Sequence, residues 1–238
     1  MKKTDFICGI VPALVTPMTE DEQLDEKGLE RLIDHVIRAG VDGVFTVGTD
    51  GEFWALTIEE KKRVFESTVG YTAGRVPVYL GTCADTTREA IELAQIAQDA
   101  GASCLSILTP TFIAPSEDQM FQHYRAIADS TDLPILLYTN TDRCGNDLSP
   151  NLVVRLAEEI SNIVGIKDSS GDMTQTGDYL RRTPDDFHVL LGRDTMIFAG
   201  LVQGAAGAIA ASANLAPELS VGSIRCVSPS DSVRSRRS

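Results

Sequence analysis

Three short stretches of this 238-residue chain carry residue types that could act together on a small carbonyl compound. In Ile163-Val-Gly-Ile-Lys167-Asp-Ser-Ser a lysine ends a run of apolar residues. Burying an ammonium group is costly unless it is paired or neutralised. Two readings follow: Asp168 pairs with it, or desolvation leaves a free amine able to attack a carbonyl carbon. In Gly48-Thr-Asp-Gly-Glu52 two glycines three apart permit a tight turn that aims backbone N–H groups at a small anion. The alternative there is a plain strand-to-helix turn. Tyr138 closes the aliphatic run Ile135-Leu-Leu. Its hydroxyl either shuttles protons or merely sits at the rim of a core that holds its ring.

What gathers these residues is an alternation of short β-branched runs and longer helical patterns. Candidate strands are Gly9–Val15, Gly43–Val47, Val76–Leu80, Cys104–Leu108, Ile135–Tyr138, Ile163–Lys167, His188–Leu191 and Ala206–Ala210. Leu29, Leu32, Ile33, Val36 and Ile37 make one apolar helical face, ended by Gly40. Thr57-Ile-Glu-Glu60 and Thr86-Thr-Arg-Glu89 have the capping-box spacing, and Ser149-Pro150 sets a cap before a first-turn proline. Segments 117–129 and 195–203 also read as helices. Strands apolar on both faces, each followed by a helix, imply a parallel sheet, and eight such units predict an α/β fold of the (β/α)8 TIM-barrel kind. An open doubly wound sheet is the alternative. With no G-x-G-x-x-G and no P-loop in the chain, dinucleotide chemistry on such a sheet is disfavoured. In a barrel, chemistry sits at the carboxyl ends of the strands. Strands two, five and six would then bring an anion seat, a proton shuttle and an amine nucleophile to one mouth.

With these residues in view, the sequence resembles the dihydrodipicolinate synthase / N-acetylneuraminate lyase family of pyruvate-dependent class I aldolases. The matching stretches are Gly48-Thr-Asp-Gly-Glu52, Tyr138, Gly165-Ile-Lys167-Asp-Ser, Gly192-Arg-Asp194 and Gly207-Ala-Ile-Ala-Ala-Ser-Ala-Asn214, in the family's order and spacing from about Phe6 to Leu219. The resemblance implies a lyase in which Lys167 forms a Schiff base with pyruvate or a pyruvate-containing 2-oxo acid. Tyr138 would relay protons, and Thr49 with the amide of Asp50 would hold the carboxylate. Ile209, through its backbone carbonyl, and Gly192 would line the pocket. Arg143 matches the position where dihydrodipicolinate synthases bind the carboxylate of aspartate semialdehyde, the alternative being a solvated loop arginine. No metal or organic cofactor is implied, and the family commonly forms homotetramers.

Two positions depart from a true dihydrodipicolinate synthase. The second Thr of its first motif is Asp50 here, and the relay tyrosine after strand four is Phe112, which has no hydroxyl. Either the substrate differs or protons move through water. Asp50 could accept hydrogen bonds from a polyhydroxylated acid, so the reading is an aldolase for a 2-keto-3-deoxy sugar acid or related 2-oxo acid. The alternative is 4-hydroxy-tetrahydrodipicolinate synthase, which joins pyruvate to aspartate semialdehyde. The family continues past the eighth strand with further helices, so residues 1–222 read as a barrel with an incomplete last helix. Residues 223–238, Ser/Arg-rich and holding Pro229, read as a disordered tail from a truncated or frameshifted frame. A rival of another class is thus a non-catalytic barrel remnant.

Composition bounds the partners. The net charge of −13 argues against general nucleic-acid or anionic-membrane binding. The last 16 residues carry +3, leaving −16 on the preceding 222. Cys8, Cys83, Cys104, Cys144 and Cys226 are odd in number and widely spaced, which reads as reduced thiols in a cytoplasmic protein. His35, His123 and His188 lack metal-ligand spacing. Asp5, Gly9 and Pro12 interrupt the N-terminal apolar run and disfavour a secretory signal.

Overall fold

The computed structural model describes residues 4–227. Strands β1 (Gly9–Pro12), β2 (Val44–Thr46), β3 (Val78–Gly81) and β4 (Cys104–Leu108) alternate with helices α1 (Glu26–Arg38), α2 (Ile58–Thr72), α3 (Thr87–Ala100) and α4 (Glu117–Ala128). The second half continues with β5 (Ile135–Thr139), the single turn α5 (Thr141–Cys144), α6 (Pro150–Glu159), β6 (Ile163–Asp168) and α7 (Met173–Arg182). It ends with β7 (His188–Leu191), α8 (Ile197–Gln203), β8 (Gly207–Ala210) and α9 (Pro217–Val227).

All eight strands are parallel, in the order β1-β8-β7-β6-β5-β4-β3-β2. The barrel closes between β1 and β2 through a bridge from Ala13 to Phe45, with Leu14 N–H donating to the Phe45 carbonyl at 2.8 Å. The open-sheet alternative is thereby excluded. Helix ends follow the sequence closely. Thr57 and Glu60 form a reciprocal capping box, as do Ser116 and Gln119, and Ser149 caps α6 ahead of Pro150. At Thr86 only half the box forms: the hydroxyl accepts from the Glu89 amide, while the Glu89 carboxylate turns to Lys61, 3.9 Å away. Helix α7 has few apolar residues and begins on an Asp172 cap, which accepts from the Thr174 and Gln175 amides. That polarity hides it from a periodicity search.

The core has two main layers. Val11, Phe45, Tyr79, Cys104, Leu136, Leu190 and Ile209 fill the barrel interior, while a larger shell packs between strands and helices. Helix α9 runs past Gly222 to Val227, because Val221 and Ile224 keep one more turn of helical spacing against that shell. Residues 228–238, most of the expected basic tail, lie outside the described residues.

His123 on α4 is buried, and its Nδ1 lies 2.9 Å from the Thr87 hydroxyl. Burial pushes its pKa down from 6.5 to about 4. Between those values the unfolded chain binds the proton and the folded chain does not, so stability rises with pH across that window. Acidification from 6.5 to 4 should remove about 3 kcal/mol through this residue. In His123→Gln, chemical denaturation should show the stability gap between pH 7 and pH 4.5 shrinking by about 2 kcal/mol. An unchanged gap would contradict that origin.

Candidate active site

Alternation along β6 decides the environment of Lys167. Successive strand residues face opposite ways, so Lys167 points into the barrel while Asp168 points out towards α7. The Asp168 carboxylate accepts from Ser170 N–H at 2.9 Å and from the Thr176 hydroxyl at 2.5 Å. It is spent on the β6–α7 turn, and the pairing it offered Lys167 on sequence does not form. Lys167 is only 2% exposed, and no ion pair among the described residues includes it. Its Nζ lies 4.1 Å from the Tyr138 ring centre and 4.8 Å from that of Phe45. Ring faces tolerate an amine there without supplying a fixed anion.

Tyr138 stands directly opposite Lys167 in the β5–β6 register. Its hydroxyl lies 3.1 Å from the Thr49 hydroxyl and accepts a hydrogen bond from Asn140 Nδ2 at 3.2 Å. The loop after β2 is thus tied to the phenol, and the amine sits beside that phenol's ring. The two loop glycines act differently from expectation. Positive φ falls on Val47 and Glu52 rather than on the glycines. A Cβ on Gly48 would instead stand 2.3 Å from the Phe45 ring, so close approach is what excludes a side chain.

Asp50 lies half-buried at this mouth. Burial pushes its carboxyl pKa up and the Asp194 charge adds to that, while the Lys167 and Arg143 charges pull it down. Arg143, on α5, lines a neighbouring cavity of about 410 Å³ together with Thr49, Trp54, Lys61, Asp85 and Glu89. Ile209 packs in the interior layer below the mouth. Gly192 leaves the room Lys167 occupies: a Cβ there would stand 2.0 Å from Ser169 Oγ and 3.1 Å from Lys167 Cε. Phe112 is not brought to the site. Its ring is 97% exposed, on a loop whose backbone Asn146 fastens through the Pro110 and Ile113 carbonyls.

Two residues of the mouth were not singled out by sequence. Asn140 follows Tyr138 by two, a spacing that keeps it on the same face as the phenol. Ser169 follows Lys167 by two, and its buried hydroxyl has no hydrogen-bond partner among the described residues. Period-two spacing from Lys167 could have flagged it. Cys83 and Cys144 join Leu108 and Tyr138 in an apolar rim cluster. Burial pushes the Cys83 thiol up to about 11, away from nucleophilic use. Among the described residues, no group of three or more His, Cys, Asp or Glu side chains could hold a metal ion, and no helix is long and apolar enough to cross a membrane.

This arrangement joins an unpaired buried amine, a phenol and a hydroxyl-bearing turn, the set a Schiff-base mechanism on a 2-oxo acid requires. The profile of the Dihydrodipicolinate synthetase family matches residues 7–231. The chain belongs to this family. As a member it is a lyase of the class I pyruvate-aldolase type. It is 40% identical over 214 residues to the 4-hydroxy-tetrahydrodipicolinate synthase of Methanopyrus kandleri, covering 90% of this chain and 71% of that enzyme. It is also 40% identical over 224 residues to an Escherichia coli protein named "Putative 2-dehydro-3-deoxy-D-gluconate aldolase YagE", covering 93% of this chain and 74% of that one. The crystal structure of YagE in complex with pyruvate superposes with a TM-score of 0.89 at 38% identity, over 92% of this chain and 78% of that one.

The packing at Gly192 makes a stability prediction specific to this mouth. Gly192→Ala should destabilise the family member by about 1–3 kcal/mol, because the added methyl overlaps Ser169 Oγ. Thermal unfolding of Gly192→Ala/Ser169→Ala should recover about half or more of that loss. Strictly additive losses would show that the clash lies elsewhere.

Proposed function

We propose that this chain makes or cleaves a carbon–carbon bond between pyruvate and an aldehyde through a Schiff base on Lys167, with a hydroxylated acid of the 2-keto-3-deoxy sugar-acid class as its substrate. The observation that carries this reading is the buried Lys167 amine with no carboxylate partner, set against a Tyr138 that is bonded to Thr49. In the cleavage direction the amine attacks the ketone carbon and water leaves, giving a protonated imine. Thr49 and the Asp50 amide hold the carboxylate, and the carbonyl of Ile209 lines the pocket floor. Tyr138 takes the proton from the C4 hydroxyl, and the C3–C4 bond breaks. Its electron pair moves into the imine, releasing the aldehyde and leaving an enamine. Protonation at C3 and hydrolysis return pyruvate and the free amine. Positioned charge and proton relay suffice, and no organic cofactor enters these steps.

Two groups support the hydroxylated substrate. Asp50 is a hydrogen-bond acceptor where a dihydrodipicolinate synthase has a threonine, and the unpartnered Ser169 hydroxyl lies beside Lys167. The name carried by YagE points the same way. The second reading, 4-hydroxy-tetrahydrodipicolinate synthase, is favoured by the name of the Methanopyrus relative and by Arg143, whose fork suits a carboxylate. The proposal includes a homo-oligomer, since Trp54, Phe112 and Ile113 are exposed apolar residues of the kind that copies of a chain bury. Five free cysteines fit a cytoplasmic setting.

Asp50→Ala should lower kcat/KM for cleavage of 2-keto-3-deoxygluconate by roughly tenfold to a hundredfold, the value of a hydrogen bond to a charged group. Because its pKa is raised, Asp50 loses its charge at a higher pH than an ordinary carboxylate, so cleavage should fall early on the acid side. Asp50→Asn should abolish that acid limb. Wild-type turnover of aspartate semialdehyde with no cleavage of sugar acids, unaffected by Asp50→Ala, would assign the chain to the second reading.

A further inference from the structure

We propose that Arg193 is a positioning residue: its guanidinium straps the loops after β5, β6 and β7 together and so holds α5, the turn that carries Arg143, at the mouth. The inference rests on the reading above, with Arg143 facing the aldehyde half of the substrate, where it would meet the hydroxyls of a sugar acid or the carboxylate of aspartate semialdehyde. Arg193 Nε donates to the Ser169 carbonyl at 3.0 Å, and another N–H of the same planar group donates to the Asp142 carboxylate. One rigid fork therefore spans the loop bearing Lys167's neighbour and the loop bearing Arg143. Gly171, at φ +77°, lies beneath it, where a Cβ would come within 2.8 Å of Nε.

Helix α5 needs an outside hold. It is one turn long, and its N-cap Asn140 makes no capping hydrogen bond because its amide is turned to Tyr138. A single turn is not stable alone. Beyond its own backbone bonds, α5 is held at its end by Cys144, buried in the rim cluster, and at its start by Thr141 to Asp147 at 3.3 Å and by Asp142 to Arg193. Asp142 is thus the charged anchor of the exposed side, next to Arg143. Arg143, the next residue, enters no ion pair among the described residues and faces the cavity and Asp50. The side chains of Arg193 and Asp142 are 37% and 69% exposed, so their pair adds little to global stability. What it fixes is geometry.

The test compares Arg193→Gln, Arg193→Lys, Asp142→Asn and the Arg193→Gln/Asp142→Asn double variant. Three quantities are measured: KM and kcat for pyruvate release from 2-keto-3-deoxygluconate, reductive trapping of pyruvate on Lys167, and amide hydrogen exchange at residues 143–145. If the wild type uses only aspartate semialdehyde, the condensation assay replaces the cleavage assay. Arg193→Gln and Asp142→Asn should each raise KM roughly five- to tenfold with kcat within about twofold, and the double variant should be no worse than either. Arg193→Lys should recover part of the affinity, trapping should persist, and exchange at 143–145 should quicken about tenfold. Unchanged KM and exchange would overturn the strap. So would a raised KM in Arg193→Gln with none in Asp142→Asn, which would make Arg193 a direct substrate ligand. If the wild type traps no pyruvate, the functional reading fails on its own, and the exchange measurement decides the strap.

Discussion

One constraint governs the site: an amine held inside a barrel wall with no ion-pair partner among the described residues. Removing a lysine from water carries a penalty that ordinary proteins offset with a carboxylate. Here the nearest carboxylate in sequence is denied to Lys167 by strand pleat alone. Asp168 faces the other side of β6, where the Thr176 hydroxyl and the Ser170 amide occupy it. The barrel interior offers ring faces and a phenol in place of a counter-ion. That placement, without an ion-pair partner and facing the mouth, is why we propose Lys167 as the nucleophile toward a substrate carbonyl.

The rest of the mouth follows from register. Pairing Tyr138 with Lys167 across β5 and β6 sets phenol and amine side by side, and the Thr49 bond brings the β2 loop to the same point. Gly192, just past the end of β7, supplies the space that a methyl group would deny. Charge is then balanced locally. In a chain with a net charge of −13, the mouth sets Lys167 and Arg143 against Asp50 and Asp194, so the anionic substrate proposed above would depend on that local basic pair against the global charge.

Barrel, strand order and the three chemical stretches were legible because each leaves a local signal: apolar runs, capping residues, and a lysine out of place in a strand. What was not legible depends on contacts distant in sequence. Asn140 and Ser169 matter through what faces them, and Arg193 through the Asp142 carboxylate 51 residues away. Gly48 in the β2 loop was legible as part of a turn but not in its cause, since the Phe45 ring that excludes a side chain there is known only from packing. Helix α7 escaped notice because its start rests on the Asp172 cap and not on an apolar face. At the other end, the extra turn of α9 rests on Val221 and on Ile224, the latter inside a stretch whose Ser/Arg bias obscures it.

The most direct measurement is incubation with pyruvate and borohydride followed by peptide mapping by mass spectrometry. The account predicts one reduced pyruvate on the peptide containing Lys167 and none elsewhere, with the adduct absent in a folded Lys167→Ala variant. A folded wild-type chain that acquires no adduct, or one that acquires it at another lysine, would contradict it.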